Sequence, residues 1–478
     1  MKRTLLRGGA LLVAALGMSA ASLVSVAPPA GATTTGVVVT SAGSDTSEGV
    51  MTDIMNTLNN NGTGTNVTVN GATTAAKTFN IPASPAVYSA LPGNKFTVPG
   101  ESATATDCPN DIDWVKDPAA PSGNTALSTG ARGTAPFGST AGRNYLATES
   151  GGTGPAPNGG PAETAGQNFG CIDVARSSSG PRGAGAGDKS TFRYYAFALD
   201  ALTWATTSTK APLVLTHQQI RDIYLCNVTN WNQVGGQDGP IVRYLPQAGS
   251  GTRSFFISDV LANVTPDNSG NCAGGGDRTL RLVEENQALT VTSADQDKAI
   301  LPYSAALWAY QTSNSSNPTL DKRCPFKGAC ARLGYMTTTG GNVTANPVRW
   351  NDIDGNFELD TSAGGVVKDS NVKQFQNNSG GPAWNESTGS FIGVRYIYNV
   401  LDKVGGGAGR RGYQAALALL GFDNTTGGSK GVLCNNASGV GIALSAFIIS
   451  AGFAPLTSTI NAISNAAGSN CREYPGVD

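Results

Sequence analysis

Four short stretches of this chain combine glycine with serine and threonine. They are Gly43-Ser44-Asp45-Thr46, Phe137-Gly138-Ser139-Thr140-Ala141-Gly142, Ala175-Arg176-Ser177-Ser178-Ser179-Gly180-Pro181 and Gly249-Ser250-Gly251-Thr252-Arg253. Such residues break few bonds, but at the start of a helix they hold anions. The first backbone N–H groups of a helix lack internal partners and lie at the positive end of its dipole. Small hydroxyl residues add donors there without blocking approach, so an oxyanion can be bound without net positive charge. Any one stretch is equally a capped helix or a turn. Four together, the last ending in an arginine able to make bidentate bonds, favour an anion site.

Other chemistries have less to work with. His217 is the single histidine, and a Ser-His-Asp hydrolase would need it beside a nucleophile such as Ser250. A polar position on a helix surface is the expectation instead. There is no Cys-x-x-Cys pair, so no metal site is expected. Asp352 to Asp360 partly imitates a calcium loop, but Phe357 stands where glycine is needed and Ala363 where a bidentate glutamate is needed. A solvated acidic loop is expected. Gly407 to Gly412 satisfies G-x-G-x-x-G without the later acidic residue and reads as a connector. Paired carboxylates for glycoside hydrolysis are not evident. Trp204, Trp231 and Trp308 could form a sugar platform, with packing the expected role of Trp231. The chain is thus expected to be no enzyme and to need no cofactor.

The elements that would position the glycine and hydroxyl stretches are visible as patterns. Val37 to Val39 is a β-branched run that leads into Ser41 to Ser47 and then a helical pattern at Val50, Ile54 and Met55. Ile241 to Leu245 reads as a strand, followed by Gln247 to Arg253 and a helix carrying Phe255, Phe256 and Val260. Strand, small-residue turn and helix therefore occur twice, which favours an α/β class. Thr216 is a good N-cap for a helix through Ile220, Ile223 and Tyr224. Asn59 to Thr78, Pro118 to Thr134 and Gly151 to Gly166 read as insertions or long surface loops.

The ends and the composition set the compartment. Lys2, Arg3 and Arg7 precede an apolar stretch from Ala10 to Val26 and the small triplet Ala30-Gly31-Ala32. That order predicts a secretory signal over residues 1–32, cut after about Ala32. No cysteine follows directly to carry a lipid, and the product is expected to be soluble outside the cytoplasm. Removing the signal takes three of 32 basic residues and none of the 33 acidic ones, leaving an acidic excess of four. That argues against a nucleic-acid partner. Eight cysteines, Cys108, Cys171, Cys226, Cys272, Cys324, Cys330, Cys434 and Cys471, predict disulfides in an exported chain. Pairing of neighbours, 108 with 171, 226 with 272, 324 with 330 and 434 with 471, is the simplest arrangement.

Three segments in order carry a resemblance: Leu213 to Tyr224, Asn230-Trp231-Asn232-Gln233-Val234-Gly235-Gly236, and Gly249-Ser250-Gly251-Thr252-Arg253. Ala299-Ile300-Leu301-Pro302-Tyr303 and Gly452-Phe453-Ala454-Pro455-Leu456 extend it. The chain resembles the extracytoplasmic phosphate-binding proteins of phosphate ABC transporters. The resemblance implies a two-lobe type II periplasmic-binding-protein fold, with a hinge and a ligand cleft between lobes. One lobe would comprise residues 33–196 and 391–478, the other 197–390. It implies a monomer that holds phosphate or a similar oxyanion, with an ABC permease as the expected partner.

The binding residues implied by the resemblance are Asp45, Thr46, Ser139, Ser177, Ser178, Ser250, Gly251, Thr252 and Arg253. Two departures stand out. The family's arginine ahead of Ser-Gly-Thr is replaced by Pro246 and Gln247, leaving Arg253 or Arg176 to compensate. The family's aspartate falls at about Ser178, leaving Asp45 as the carboxylate that could accept the proton of hydrogen phosphate.

Overall fold

The β-branched run at Val37 opens strand β1 (Val37–Gly43), which pairs in parallel with β2 (Ala86–Ala90) and β3 (Val174–Ser177). The computed structural model describes residues 37–51, 54, 66–71, 74–80, 86–90, 96–97, 113–114, 138–149, 174–181, 191–268, 279–324, 330–337, 344–352, 355–362, 365–372, 393–402, 447–456 and 471–475. The expected signal segment, the loops at 118–134 and 151–166 and the glycine motif at 407–412 lie outside the described residues. The first expected loop holds a two-stranded antiparallel hairpin, Asn66–Gly71 with Thr74–Asn80, in place of irregular chain. Its alternation of Val67 and Val69 with polar residues suits a strand.

One long strand organises the rest. β4 (Phe192–Thr206) is fifteen residues, buried at all but one position. Nine of its first ten residues, up to Ala201, pair antiparallel with β13 (Val394–Asp402). From Leu202 it pairs instead with β8 (Ala299–Ser304). The opposite edge changes partners as well: Arg472–Pro475 and Ala454–Pro455 pair with residues 193–199, and Arg332–Leu333 pairs with residues 205–206. Segments returning late in the chain therefore meet the first part of β4, and segments of the middle meet its end. β4 carries the chain between the two sheet regions, with a bulge at Phe197 where the register shifts.

The middle of the chain follows the expected pattern closely. β5 (Val214–Thr216) leads into α2 (His217–Tyr224), capped by Thr216 in a reciprocal capping box with Gln219. Another helix, α1 (Ser139–Glu149), stands earlier in the chain. β6 (Val242–Pro246) runs into α3 (Gly251–Phe255), which continues as a wider π turn over Phe256–Val260. β6 lies between β7 (Arg281–Val283) and β8, parallel to both. The eleven-stranded sheet thus reads β7, β6, β8, β4, β13, β3, β1, β2, with the three short segments added on β4. α4 (Ala305–Ser313) follows β8 directly, with Ser304 as its cap.

The core spreads along this sheet. Trp204 and Trp231 are fully buried and stacked, with ring centroids 6.3 Å apart, so both fill the interior. Trp308 lies edge-on against Phe357 and donates its indole N–H to the Ala331 carbonyl. His217 departs from expectation. It is 2% exposed, and burial, aided by Arg221, lowers its pKa to about 4. The capped first turn carries the imidazole into the interior. Within the expected acidic loop, Asn356–Leu359 is a strand paired with Val348–Asn351, and Glu358 pairs with Arg349.

Cys324 and Cys330 form the expected disulfide. Cys226 and Cys471 are also disulfide-bonded, while Cys108, Cys171, Cys272 and Cys434 lie outside the described residues. Among the described residues no helix is long and apolar enough to cross a membrane.

Candidate functional site

The small-residue turns converge because they follow or face the carboxyl ends of neighbouring parallel strands. β1 ends at Gly43 and β3 at Ser177, side by side in register. Gly138, with φ +95°, donates its N–H to the Gly43 carbonyl. Thr140 N, two residues on, donates to the Gly249 carbonyl beyond β6. The start of α1 is thereby pinned between the first part of the chain and the middle. A Cβ on Gly138 would lie 2.4 Å from the Gly249 oxygen, so the position requires glycine on both conformational and steric grounds.

Hydroxyls from four segments form the near side. Ser139 Oγ accepts the Ser178 backbone N–H at 2.9 Å and lies 3.3 Å from Ser178 Oγ. Ser44 Oγ donates to Ser178 Oγ at 3.1 Å. Thr46 Oγ1 is 3.3 Å from Thr252 Oγ1, joining the β1 turn to the β6 turn. All five side chains are buried. Gly251 completes this cluster, for a Cβ there would lie 2.1 Å from Ser139 Oγ and 2.5 Å from Ser178 Oγ.

A buried carboxylate sits where these donors point. Glu285 Oε1 accepts from Thr46 Oγ1 at 2.8 Å and from the Thr252 backbone N–H at 3.1 Å, with Ser178 Oγ at 3.5 Å. The next residue, Asn286, donates from Nδ2 to Thr46 Oγ1 at 3.2 Å.

The guanidinium of the cluster belongs to Arg395, near the start of β13. Its Nη1 donates to Thr252 Oγ1 at 3.0 Å and reaches the Ser178 carbonyl at 3.4 Å. Its Nε and Nη2 hold Asp200 Oδ2 at 3.0 and 2.7 Å. Asp200 Oδ1 takes the Ser304 hydroxyl and the Ala306 N–H at the head of α4. This fully buried pair, drawn from β4 and β13, is held by further bonds on both partners, the condition under which a buried ion pair is tolerable.

Thr46, Ser139, Ser178, Gly251 and Thr252 are therefore brought together. The other expected residues surround them. Ser250 caps α3 by accepting the Arg253 N–H. Ser177 Oγ bonds within its own turn, to the Ser179 carbonyl. The Arg253 guanidinium donates to the Pro246 carbonyl at 2.9 Å, and burial lowers its pKa. Arg176 turns back to the Ser41 and Ser44 carbonyls. Burial lowers its pKa, against the pull of Glu48 and then Asp45. Ser44, Glu285, Asn286, Asp200 and Arg395 were not among the residues expected from the sequence. Ser44 lay inside a stretch singled out for its type, whereas the other four carry no local motif.

Residues 117–324 match the family model of the PBP superfamily domain. The match contains Ser139, Ser178, Thr252 and Glu285, and the sheet with its helices is a mixed α/β fold. Among solved structures the chain is similar to one described as a phosphate ABC transporter substrate-binding protein from Clostridium perfringens, with bound phosphate. There the TM-score is 0.40 and the identity 12%, over 88% of this chain and 100% of that one. It is similar to an ABC-type phosphate transport receptor from Vibrio cholerae, with TM-score 0.38 and 13% identity over 87% and 99%. It is also similar to PstS from Borrelia burgdorferi, with TM-score 0.33 and 12% identity over 87% and 98%.

Proposed function

We propose that this chain is an exported solute-binding protein that holds phosphate or a related oxyanion between two lobes and serves ABC-type phosphate uptake. The observation that carries this reading is the convergence of the Thr46 and Ser178 hydroxyls and the Thr252 N–H on one buried acceptor position beside Arg395, with Ser44 and Ser139 bonded to Ser178 behind it. Hydroxyl and amide donors with one guanidinium are what a tetrahedral oxyanion requires. In this reading residues 33–196 with 391–478 form one lobe and 197–390 the other. Binding proceeds without conversion of the ligand, in a monomer released after loss of residues 1–32, with an ABC permease receiving the anion.

Titration calorimetry of the exported protein against phosphate, sulfate and arsenate at several pH values tests the reading. Phosphate and arsenate should release or take up heat with saturable stoichiometry near one. Absence of saturable heat with all three anions removes the proposal. Turnover of a chromogenic phosphate ester would refute the non-enzymatic part alone. A second reading keeps the binding and drops uptake. Neighbouring genes for a permease and an ATPase would decide between the two.

A further inference from the structure

The acceptor at the centre of the cluster belongs to the protein itself. Glu285 is 2% exposed, its Oε1 occupies the donor cradle, and its Oε2 has no hydrogen-bond partner among the described residues. Arg395, the guanidinium of the same cluster, is already committed to Asp200, Thr252 and Ser178. A carboxylate half-satisfied in this way is expensive to bury. It persists there because the backbone presents it.

That presentation is rigid. Asn286 sits in the left-handed region at φ +59°, and its Oδ1 accepts the Ser304 N–H at 2.7 Å. The Asn286 carbonyl takes the Tyr303 hydroxyl at 2.7 Å and Gln311 Nε2 at 3.0 Å. On the other side the Glu284 N–H is held by Thr290 Oγ1, and the Gln287 N–H returns to the Glu284 carbonyl. The turn is fastened to β8, α4 and its own following residues, so the carboxylate is delivered to the cradle by fixed backbone on both sides.

We propose that Glu285 is a built-in rival of the ligand: its carboxylate fills the oxyanion cradle in the closed, empty protein, and an incoming anion must displace it. This deepens the reading above and rests on it. Carboxylate and phosphate oxygens seek the same donors, here the Thr46 hydroxyl, the Thr252 N–H and the Ser178 hydroxyl. The two also carry like charge, so they cannot share the position. Apparent affinity then falls by the fraction of molecules in which the cradle is already taken. The same bonds tie the Glu285 turn to residues 46 and 178, so Glu285 also closes the protein in the absence of anion.

The parent, Glu285→Gln and Glu285→Ala are compared by calorimetry with sodium phosphate and with sodium sulfate at one pH, and by small-angle scattering without ligand. Thermal melts establish that each variant is folded, and the near-isosteric glutamine variant guards against a collapse specific to alanine. The expected result is phosphate binding at least tenfold tighter in both variants, with sulfate gaining too, and a larger radius of gyration for empty Glu285→Ala than for the empty parent. Phosphate binding by the parent that is matched or weakened in both variants overturns the proposal. A glutamine variant that loses phosphate while gaining sulfate also overturns it, because Glu285 would then be the acceptor of the ligand's own proton. If neither anion binds to any of the three proteins, the reading of the cradle as an oxyanion site fails as well, an outcome separated from the others by the parent's silence.

Discussion

Thr252 is where the two halves of the candidate site meet. Its N–H faces Glu285 Oε1, and its hydroxyl accepts from Arg395 and lies 3.3 Å from Thr46 Oγ1. Thr252→Val keeps the shape and removes the hydroxyl, so anion binding should weaken by about 1–2 kcal/mol in calorimetry. Arg395 and Arg253 should separate in urea denaturation. Arg395→Met strands Asp200 in the interior without its cation, and the free energy of unfolding should fall by about 3–5 kcal/mol. Arg253 is half-buried and bound to a carbonyl, so Arg253→Met should cost no more than about 1.5 kcal/mol of stability. Equal losses for the two variants would show that the Asp200 pair lacks the weight this contrast assigns to it. The sequence drew attention to Arg253 because it stands beside Ser-Gly-Thr; Arg395 approaches the same threonine from 143 residues away.

Elements act on the site through close approach and through caps. Gly251 begins α3 against Ser139 and Ser178, where there is no room for another carbon. Gly251→Ala should therefore push the β6 turn away from α1 and weaken anion binding more than tenfold, while circular dichroism of the empty protein stays unchanged. In α2 the buried His217 gives a pH dependence with a definite sign. Its pKa is about 4 in the fold against 6.5 ordinarily, so the unfolded chain binds the proton more readily. The stability gained by keeping it neutral is complete above about pH 6.5 and is lost as pH falls toward 4, reaching about 3 kcal/mol there. Denaturant midpoints from pH 7 to 4 should decline, and His217→Leu should flatten that part of the decline.

At the scale of the whole molecule, β4 and the disulfides set how the parts hold together. The two ends of β4 belong to different sheet neighbours, with the change between Ala201 and Leu202. Four of the eight cysteines are described, and all four are in disulfides. Alkylation of folded protein followed by non-reducing mass spectrometry should label no cysteine. Cys324 and Cys330 stand only six positions apart, so the loop they close is short. Replacing both with alanine should therefore cost only about 2 kcal/mol, visible as a modest fall in melting temperature.

Local signals were enough for the parts of the site whose physics is local. The Thr216 capping box, the strand before Gly249 and the hydroxyl turns at Ser44, Ser139 and Ser178 all depend on residues within a few positions of one another, and periodicity and small-residue clusters expose such features. The α/β class follows from the same alternation. Burial of His217 was not legible, since a polar side chain in a first turn carries no mark of which way the helix will be turned against a sheet. Nor were Glu285, Arg395 and Asp200. Each lies in or beside an ordinary strand, and each acquires its role from partners between 33 and 239 positions distant. Residue type and spacing thus determined that this chain would gather hydroxyls and free amides in short turns beside its strands. Only the assembly of β1, β3, β4, β6 and β13 into one sheet decided which arginine and which carboxylate would meet them, because charge pairing inside a protein depends on distance in space and on the water excluded around it.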